Sequence, residues 1–158
     1  VQERVLTTVY KKIQENGVLL EGSLLKPAMV VPGIECPEKS DPATIAALTV
    51  QTLERCVPAA MPGVTFLSGG ISEEDASIYL NEINKVSRKS TTALTFSYSR
   101  ALQSSCIKMW GGKEENYDAA QKQLLARAQA NSEANLGKYV PGSQPSDEES
   151  LFVKNYVY

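Results

Sequence analysis

Side chains able to do chemistry follow three short apolar runs of the sequence. Lys26 ends the run VLLEGSLLK, a Ser68-Gly69-Gly70 turn follows VTFL, and Ser97 and Arg100 come directly after ALTF and ALTFSYS. In parallel α/β folds, ligands collect at the carboxyl ends of the strands. If the three runs are strands of one sheet, an amine, a glycine-rich turn and an arginine meet at one mouth.

Lys26 has two interpretations. A lysine before a proline is most often a solvated loop charge. If apolar side chains enclose it, and Leu24, Leu25 and Met29 are candidates for such walls, a neutral amine can instead form a Schiff base with a ketone. Glu21 in the same run is either an acid/base group or a member of an ion pair, because the sequence does not fix its side of the strand.

The other two stretches contain residue types that bind phosphate. Glycines in Ser68-Gly69-Gly70 expose backbone N–H groups and let an anion approach a helix N-terminus, although the same residues also make a plain turn. The planar guanidinium of Arg100 suits phosphate, and is otherwise a surface charge. The Ser97 hydroxyl either adds a bond to the phosphate or caps the next helix.

The composition excludes several classes of protein. The chain has 158 residues, of which 42% are hydrophobic and 22% charged, as in one soluble globular domain, and its net charge of -2 argues against a broad nucleic-acid surface. It has no apolar run of about 18 residues that would predict a membrane helix. It has no histidine, which removes histidine-dependent triads and most zinc sites. The three cysteines lack a C-x-x-C pair and are predicted to be reduced thiols of an intracellular protein.

Periodicity and capping signals predict alternating helices and strands. Apolar residues at helical spacing predict a first helix that ends at Gly17 and has no N-cap before Val1, which suggests missing upstream sequence. Asp41-Pro42 predicts a second helix start, and Ser72 with Asp75 resembles a capping box. The predicted strands are 18–26, 64–67 and 93–98, and the later helices end near 56, 85, 110 and 136, the last with Leu124, Leu125 and Ala128 inward.

Short apolar strands separated by helices indicate a parallel sheet covered by helices. A complete (β/α)8 barrel needs about 250 residues, so the chain is either a small open α/β domain or part of a barrel. From Gly137 the composition changes to Gly, Pro, Ser and acidic residues. We therefore divide the chain into a folded part, 1–136, and a mobile tail, 137–158.

Six blocks of sequence together resemble one family, the class I fructose-bisphosphate aldolases. They occur in the family's order and spacing and run from end to end of the chain. The blocks are LLEGSLLKPAMVVPG, VPAAMPGVTFLSGGISEEDA, LTFSYSRALQ, WGGKEEN, RAQANSEANLGKY and the terminal Tyr158.

The resemblance implies that the chain is the C-terminal part of a (β/α)8 TIM barrel. Residues 1–136 would supply three parallel strands with their covering helices, and 137–158 the flexible C-terminal tail. The implied activity is reversible cleavage of fructose 1,6-bisphosphate, in glycolysis and gluconeogenesis, to dihydroxyacetone phosphate and glyceraldehyde 3-phosphate, with no metal and no other cofactor. The family also implies a cytoplasmic homo-oligomer, a tetramer, with possible cytoskeletal partners; no nucleic acid or membrane is expected, and an organelle is not excluded because the N-terminus is missing.

The resemblance also implies roles for individual residues. Lys26 aligns with the Schiff-base lysine, and Tyr158 with the tyrosine that assists proton exchange on the enamine. The turn of Ser68, Gly69 and Gly70 aligns with one part of the phosphate site, and Ser97 and Arg100 align with another. The sequence departs from the family at Ser99, where glycine or alanine is usual.

Earlier strands of the family supply an acid/base glutamate and two further lysines, which this sequence does not contain. An isolated piece has open sheet edges, so the fragment alone is expected to be inactive. The alternative function is a non-catalytic phosphate-sugar-binding or scaffold fragment derived from the same barrel. An unrelated phosphate-sugar-binding domain would require six blocks to agree by chance.

Overall fold

The computed structural model describes residues 1–155, and its centre is a small parallel sheet. Strand β1 (Gly63–Phe66) pairs with β2 (Ala93–Phe96) in register, with Gly63 opposite Ala93. A third segment joins β1 through the single parallel bridge Leu25–Val64. The Leu25 amide donates to the Gly63 carbonyl (3.2 Å), and the Thr65 amide donates to the Leu25 carbonyl (2.8 Å). The described residues therefore form an α/β fragment with two strands and one bridging segment.

The α-helices of residues 1–155 agree closely with the capping signals. Their bounds are α1 (Gln2–Glu15), α2 (Pro42–Cys56), α3 (Glu73–Lys85), α4 (Arg100–Trp110) and α5 (Tyr117–Asn135). The Asp41 carboxylate accepts from the Thr44 amide, and the Ser72 hydroxyl accepts from the Asp75 amide. Gly111 ends α4 in the left-handed region at φ 57°, a conformation that favours glycine. No helix within this part of the chain is long and apolar enough to cross a membrane.

The predicted strand 18–26 is wrong over most of its length. Leu20–Gly22 forms a turn of 3-10 helix, in which the Ser23 amide donates to the Leu20 carbonyl (3.0 Å). These backbone groups are satisfied locally, so pairing with β1 begins only near Leu25. Glu21 lies in this turn, exposed, and not within a strand as expected.

The main core lies between one face of the sheet and the helices. Val64, Phe66 and Leu94 point into it and are almost fully buried. Because side chains alternate along a strand, Gly63, Thr65 and their neighbours in β2 belong to the opposite face. The remaining buried members of this core are Met29, Ala46, Val50, Leu53, Ala76, Leu80, Ile83, Tyr98, Ala101, Ala130, Ala134 and Tyr139.

The predicted inward face of α5 is also wrong. Leu124 and Leu125 are 38% and 69% exposed. The residues that α5 buries are mostly small or polar: Ala120, Gln123, Arg127, Ala130, Asn131 and Ala134. The helix packs closely on α3 and α4, and its side chains there bond to polar groups of those helices, which decides its orientation in place of leucine burial.

The first helix, predicted from apolar spacing, is confirmed, but only part of its apolar surface is covered. Leu6 and Tyr10 are buried with Met61 in a second, smaller cluster. Val5 and Val9 stay exposed and line an open groove along the helix. The described residues therefore leave an apolar surface of α1 exposed to solvent.

Candidate functional site

Lys26 lies beside β1 on the face of the sheet that the helices leave uncovered. Its side chain is exposed, whereas Pro27 and Met29 are buried. The expectation that Leu24, Leu25 and Met29 enclose the amine is wrong. Leu25 and Met29 pack with the core on the other side, and Leu24 is 65% exposed. Within the described residues, the amine therefore faces an open surface.

Two threonines lie level with Lys26 on this open face. Continuing the Leu25–Val64 register places Lys26 beside Thr65, and Thr65 pairs in turn with Thr95. The Thr65 hydroxyl donates to the Leu25 carbonyl (3.4 Å), which fixes the backbone next to the lysine. One row across the sheet thus consists of an amine followed by two hydroxyl groups.

The Ser68-Gly69-Gly70 turn follows β1, at the carboxyl end of that strand. The Leu67 amide donates to the Pro27 carbonyl (3.0 Å), which holds the start of the turn beside the segment after Lys26. Ser68 is buried, and Gly69 adopts φ +57°, where a side chain would be strained. The Ile71 amide closes the turn by donating to the Ser68 carbonyl (3.0 Å).

Arg100 lies directly against this turn. Its guanidinium donates to the Gly69 carbonyl (2.7 Å) and to the Leu151 carbonyl. The arginine is the first residue of α4, so its charge adds to the positive end of that helix. The structure thus brings Arg100 and the glycine turn together, as the sequence predicted for residues at one mouth.

Ser97 and Ser99 stand between β2 and α4. The Ser97 amide donates to the Phe66 carbonyl (2.9 Å), which places Ser97 at the strand end next to the turn, and its side chain is exposed. Ser99, and not Ser97, occupies the N-cap position of α4. Its φ of -100° is open to any residue, so the departure from the family's usual glycine or alanine needs no unusual backbone.

The two helices that begin at this edge differ in charge. The first turn of α3 carries Glu73, Glu74 and Asp75, whereas that of α4 carries Arg100 and no acidic residue. An anion at the turn is therefore attracted to the start of α4 and repelled by the carboxylates of α3. This arrangement favours phosphate binding between the glycine turn and α4.

The carboxylates of α3 bind residues 139–147, a contact that the sequence did not predict. The Glu74 carboxylate accepts from the Tyr139 hydroxyl (2.9 Å), the Gly142 amide (2.9 Å) and the Ser146 hydroxyl. The Glu73 carboxylate accepts from the Asp147 amide (3.1 Å). We call Glu73 and Glu74 with these four partners the acidic clasp. Burial and the Glu74 carboxylate raise the pKa of Tyr139 to about 12.

Behind the acidic clasp lies a fully buried arginine. Arg127 of α5 donates to the Glu73 carbonyl (2.7 Å) and the Ser77 hydroxyl (2.7 Å), and its Nε lies 3.7 Å from a Glu73 carboxylate oxygen. Arg127 and Glu73 are both 0% exposed. The signal for this pair was three successive acids two residues after a glycine turn, and an arginine among the alanines of ARAQAN.

Residues after 137 lie along α3 and reach the glycine turn. The Leu151 amide donates to the Gly70 carbonyl (3.1 Å). A Cβ placed on Gly70 would lie 2.8 Å from the Phe152 Cα, so only glycine allows this approach. The mobility expected for 137–158 stays a prediction. Tyr158 lies outside the described residues.

No group of three or more metal-ligating side chains that could hold an ion occurs within residues 1–155. Of the predicted site residues, the turn, Ser97 and Arg100 are contiguous, and Lys26 lies on the adjacent segment of the same sheet edge. An amine beside a cationic glycine turn can bind a phosphorylated carbonyl compound and attack its carbonyl carbon.

Comparison with known proteins finds relatives that cover the whole chain. A cytosolic fructose-bisphosphate aldolase of Arabidopsis thaliana is 56% identical over 160 residues, which cover all of this chain and 41% of the relative. A muscle-type fructose-bisphosphate aldolase of Lethenteron camtschaticum is 52% identical, over all of this chain and 44% of the relative. The chain thus spans about two fifths of the length of these relatives.

A solved structure shows the same likeness in three dimensions. The fructose-bisphosphate aldolase of Plasmodium falciparum, solved with TRAP and a small-molecule inhibitor, superposes with a TM-score of 0.86 at 55% identity. The match covers 89% of this chain and 40% of that chain. The family model for glycolytic class-I fructose-bisphosphate aldolase matches residues 1–158. The chain belongs to the class-I fructose-bisphosphate aldolase family.

Proposed function

We propose that this chain is the C-terminal part of a (β/α)8 barrel that cleaves fructose 1,6-bisphosphate to dihydroxyacetone phosphate and glyceraldehyde 3-phosphate. The observation that carries the proposal is the common sheet edge of Lys26, the Ser68–Gly70 turn and Arg100. An amine and an anion site on adjacent segments fit a ketose phosphate, and the family supplies the reaction class.

In this reaction the neutral Lys26 amine attacks the ketone carbon and, with loss of water, forms an iminium. The iminium nitrogen accepts the electron pair of the breaking carbon–carbon bond, while the hydroxyl of the departing carbon gives its proton to the acid/base glutamate expected from strands outside this chain. This step gives an enamine and releases the aldehyde. A proton then returns to the enamine, a step that we assign to Tyr158, and hydrolysis frees the amine. The carbanion step is thereby divided into several easier steps.

The phosphate-binding residues hold the substrate in place. Backbone groups of Ser68, Gly69 and Gly70 face one end of the substrate, with Ser97 and the Arg100 charge beside them. Binding energy at the phosphate, away from the reacting carbon, fixes the carbonyl against Lys26. For Arg100 to reach a phosphate, at least part of its guanidinium exchanges the Gly69 or Leu151 carbonyl for a phosphate oxygen.

The uncovered face of the sheet supports the barrel. In a (β/α)8 barrel this face lines the interior, and side chains of the other strands fill it. Lys26, with exposed Leu24 and Ala93 on the same face, would then be enclosed by strands that this chain does not contain. The acid/base glutamate and two further lysines would come from those strands, so we expect the fragment alone to be inactive.

We also assign the protein to the cytoplasm, because relatives from Spinacia oleracea and Pisum sativum are named cytoplasmic isozymes. The substrate is a phosphorylated sugar. A homo-oligomer, a tetramer, and cytoskeletal partners are proposed from the family resemblance alone.

Borohydride trapping tests the role of Lys26. The full-length protein, incubated with dihydroxyacetone phosphate and reduced, should carry one stable adduct on the peptide that contains Lys26. Lys26→Arg should abolish the adduct, because a guanidinium stays protonated and cannot condense with a ketone. Lys12→Arg is the matched control, since Lys12 is an exposed lysine of α1 outside the site.

An adduct on another peptide, or none, contradicts the assignment of Lys26. If the full-length protein binds dihydroxyacetone phosphate but neither forms an adduct nor turns over the bisphosphate, the non-catalytic phosphate-sugar-binding function replaces the enzyme.

A further inference from the structure

We propose that Glu74 is a positioning residue that sets the path of the chain's last residues towards the substrate site. The inference rests on the proposed function, in which Tyr158 acts on the enamine. It assigns to a buried carboxylate of α3 the control of a step carried out 84 positions later in the sequence.

Glu74 holds three separate points of the later chain at once. Its carboxylate accepts from the hydroxyl of Tyr139, the amide of Gly142 and the hydroxyl of Ser146. Glu74 and Tyr139 are 7% and 2% exposed. Bonds to a carboxylate shielded from water are stronger than neutral bonds at the surface. Residues 139–146 are thereby folded around a single side chain.

Glu73 continues the same attachment one step further. Its carboxylate accepts from the Asp147 amide on one side and from the Ser105 amide of α4 on the other (2.9 Å). The Glu74 amide in turn donates to the Asp147 carbonyl (3.4 Å). The acidic clasp therefore joins the first turn of α3, the middle of α4 and residues 139–147.

The path that leaves the acidic clasp leads straight to the glycine turn. The Leu151 amide and the Ser150 hydroxyl both donate to the Gly70 carbonyl, at 3.1 Å and 3.3 Å. The Leu151 carbonyl accepts from Arg100, a proposed phosphate ligand. The segment after residue 147 thus reaches the glycine turn and Arg100. The few residues beyond Phe152 then span the remaining distance to the substrate.

A short span makes the attachment point important. Six residues follow Phe152 and reach at most about 20 Å when extended. Once residues 139–147 are released, the bonds of Ser150 and Leu151 must hold the later chain without the acidic clasp. Whenever these bonds open, the tether is severalfold longer and Tyr158 is diluted over a larger volume. Glu74 therefore acts on the proton-return step by limiting where the chain end can go, without touching the substrate.

A double-mutant cycle in the full-length protein tests this role. Glu74→Gln and Tyr139→Phe each weaken the acidic clasp while keeping side-chain size, and each is made with and without Tyr158. Glu82→Gln is the matched control, because Glu82 lies on the same helix and pairs with Lys85, and the glutamine keeps the oxygen that accepts from the Asn81 side-chain amide (3.2 Å). Amide hydrogen exchange at Gly142 and Leu151 is measured in parallel.

We expect each clasp variant to lower turnover of fructose 1,6-bisphosphate about tenfold with little change in KM. In protein that lacks Tyr158, the same variants should change turnover less than about twofold, because the residue that they position is gone. Exchange at Gly142 and Leu151 should quicken in the clasp variants and stay unchanged in Glu82→Gln.

An equal loss of turnover with and without Tyr158 overturns the proposal, since a general structural role would act in both backgrounds. Unchanged exchange at Leu151 in both clasp variants overturns it as well. Parent protein without any turnover contradicts the proposed function instead, and exchange at Leu151 then still decides whether Glu74 sets the path of the later chain.

Discussion

The two faces of the small sheet differ in how completely the described residues bury their side chains and pair their polar groups. On the covered face, Phe66 and Val64 are buried under helices. Behind them, the Glu73 and Glu74 carboxylates and the Arg127 Nη2 are hydrogen-bonded. On the open face, Lys26 and Ala93 are exposed and the threonines are half-buried. Buried contacts are concentrated on one face, and the proposed chemistry lies on the other.

This difference shows how a fragment can preserve the local geometry of a site. The helices and the residues after 137 fix the strand ends from behind, so the order of Lys26, turn and Arg100 along the edge depends on contacts within this chain. In the proposed barrel, the surroundings of the amine depend on strands that this chain does not contain. Changes on the covered face should therefore alter folding, and changes on the open face should alter chemistry.

The largest effect on stability should come from Arg127. Arg127→Met leaves Glu73 buried without its cation, and breaking a buried pair in this way costs about 3–5 kcal/mol. Denaturant unfolding of the full-length protein measures this loss. Lys26→Met on the open face is the control: the described residues give Lys26 no ion pair to break, so the change should cost clearly less than the loss of Arg127. Similar losses in both variants would remove the distinction between the faces.

Arg100 lies at the start of α4, beside the glycine turn, and its loss should weaken substrate binding more than it weakens folding. Arg100→Ala removes charge-assisted bonds worth about 1.5–3 kcal/mol, so KM for the bisphosphate should rise roughly ten- to a hundredfold. The variant also loses the bonds to Gly69 and Leu151. Initial-rate kinetics and far-UV circular dichroism of the same preparation separate binding from folding. An unchanged KM with normal folding would make Arg100 a structural tie between the turn and the later chain.

Alkaline pH should weaken the covered face through Tyr139. Its pKa is raised to about 12 by burial and by Glu74, above its usual value near about 10. The contribution is complete below about pH 10 and is lost as the pH rises towards about 12, because the folded state resists ionisation of the phenol. Tyr139→Phe should therefore lose less Tm than the parent between about pH 9 and about pH 12. Burial also raises the pKa of Tyr98, which is present in both proteins.

Parallel pH–Tm curves for the two proteins would show that Tyr139 is not linked to alkaline unfolding.

The smallest effect should come from Lys108, at the solvent-exposed border of the covered face. Its bond to Asp147 lowers the pKa of that carboxyl and raises the pKa of the lysine. The Lys108 side chain is mostly exposed, and exposed ion pairs contribute little. Lys108→Met should leave Tm unchanged within error at neutral pH. A clear drop in Tm would show that Asp147 needs a charged partner for the acidic clasp to hold.

The sequence predicted the parts of the fold that depend on local chemistry. Asp41 and Ser72 cap their helices through their own side chains, and Gly111 ends a helix by its own backbone freedom, so neighbouring residues decide these features. The glycine turn after β1 and Arg100 after β2 were likewise predictable, because each follows an apolar run that forms a strand.

Features decided by distant partners were not predictable in the same way. Leu124 and Leu125 were expected inward, but α5 buries Arg127 and Asn131 because Glu73 and Ser77 of α3 accept or donate their hydrogen bonds. The exposure of the Lys26 side chain likewise depends on distant packing, because the core takes Leu25 and Met29 and leaves Lys26 on the opposite face. Tyr158 lies outside the described residues, and its role stays a prediction.

The acidic clasp also has a consequence for the order of events during protein synthesis. Tyr139 and Asp147 follow the carboxylates that they bind by 65 and 74 residues. At a translation rate of about 5–20 residues per second, roughly 3–15 seconds pass between synthesis of these carboxylates and synthesis of the residues that they bind. Until then, burial of the carboxylates is costly, so the start of α3 should stay hydrated while the helix behind it forms. The nascent chain thus completes the start of α3, next to the glycine turn, only after both strands of the sheet have been made.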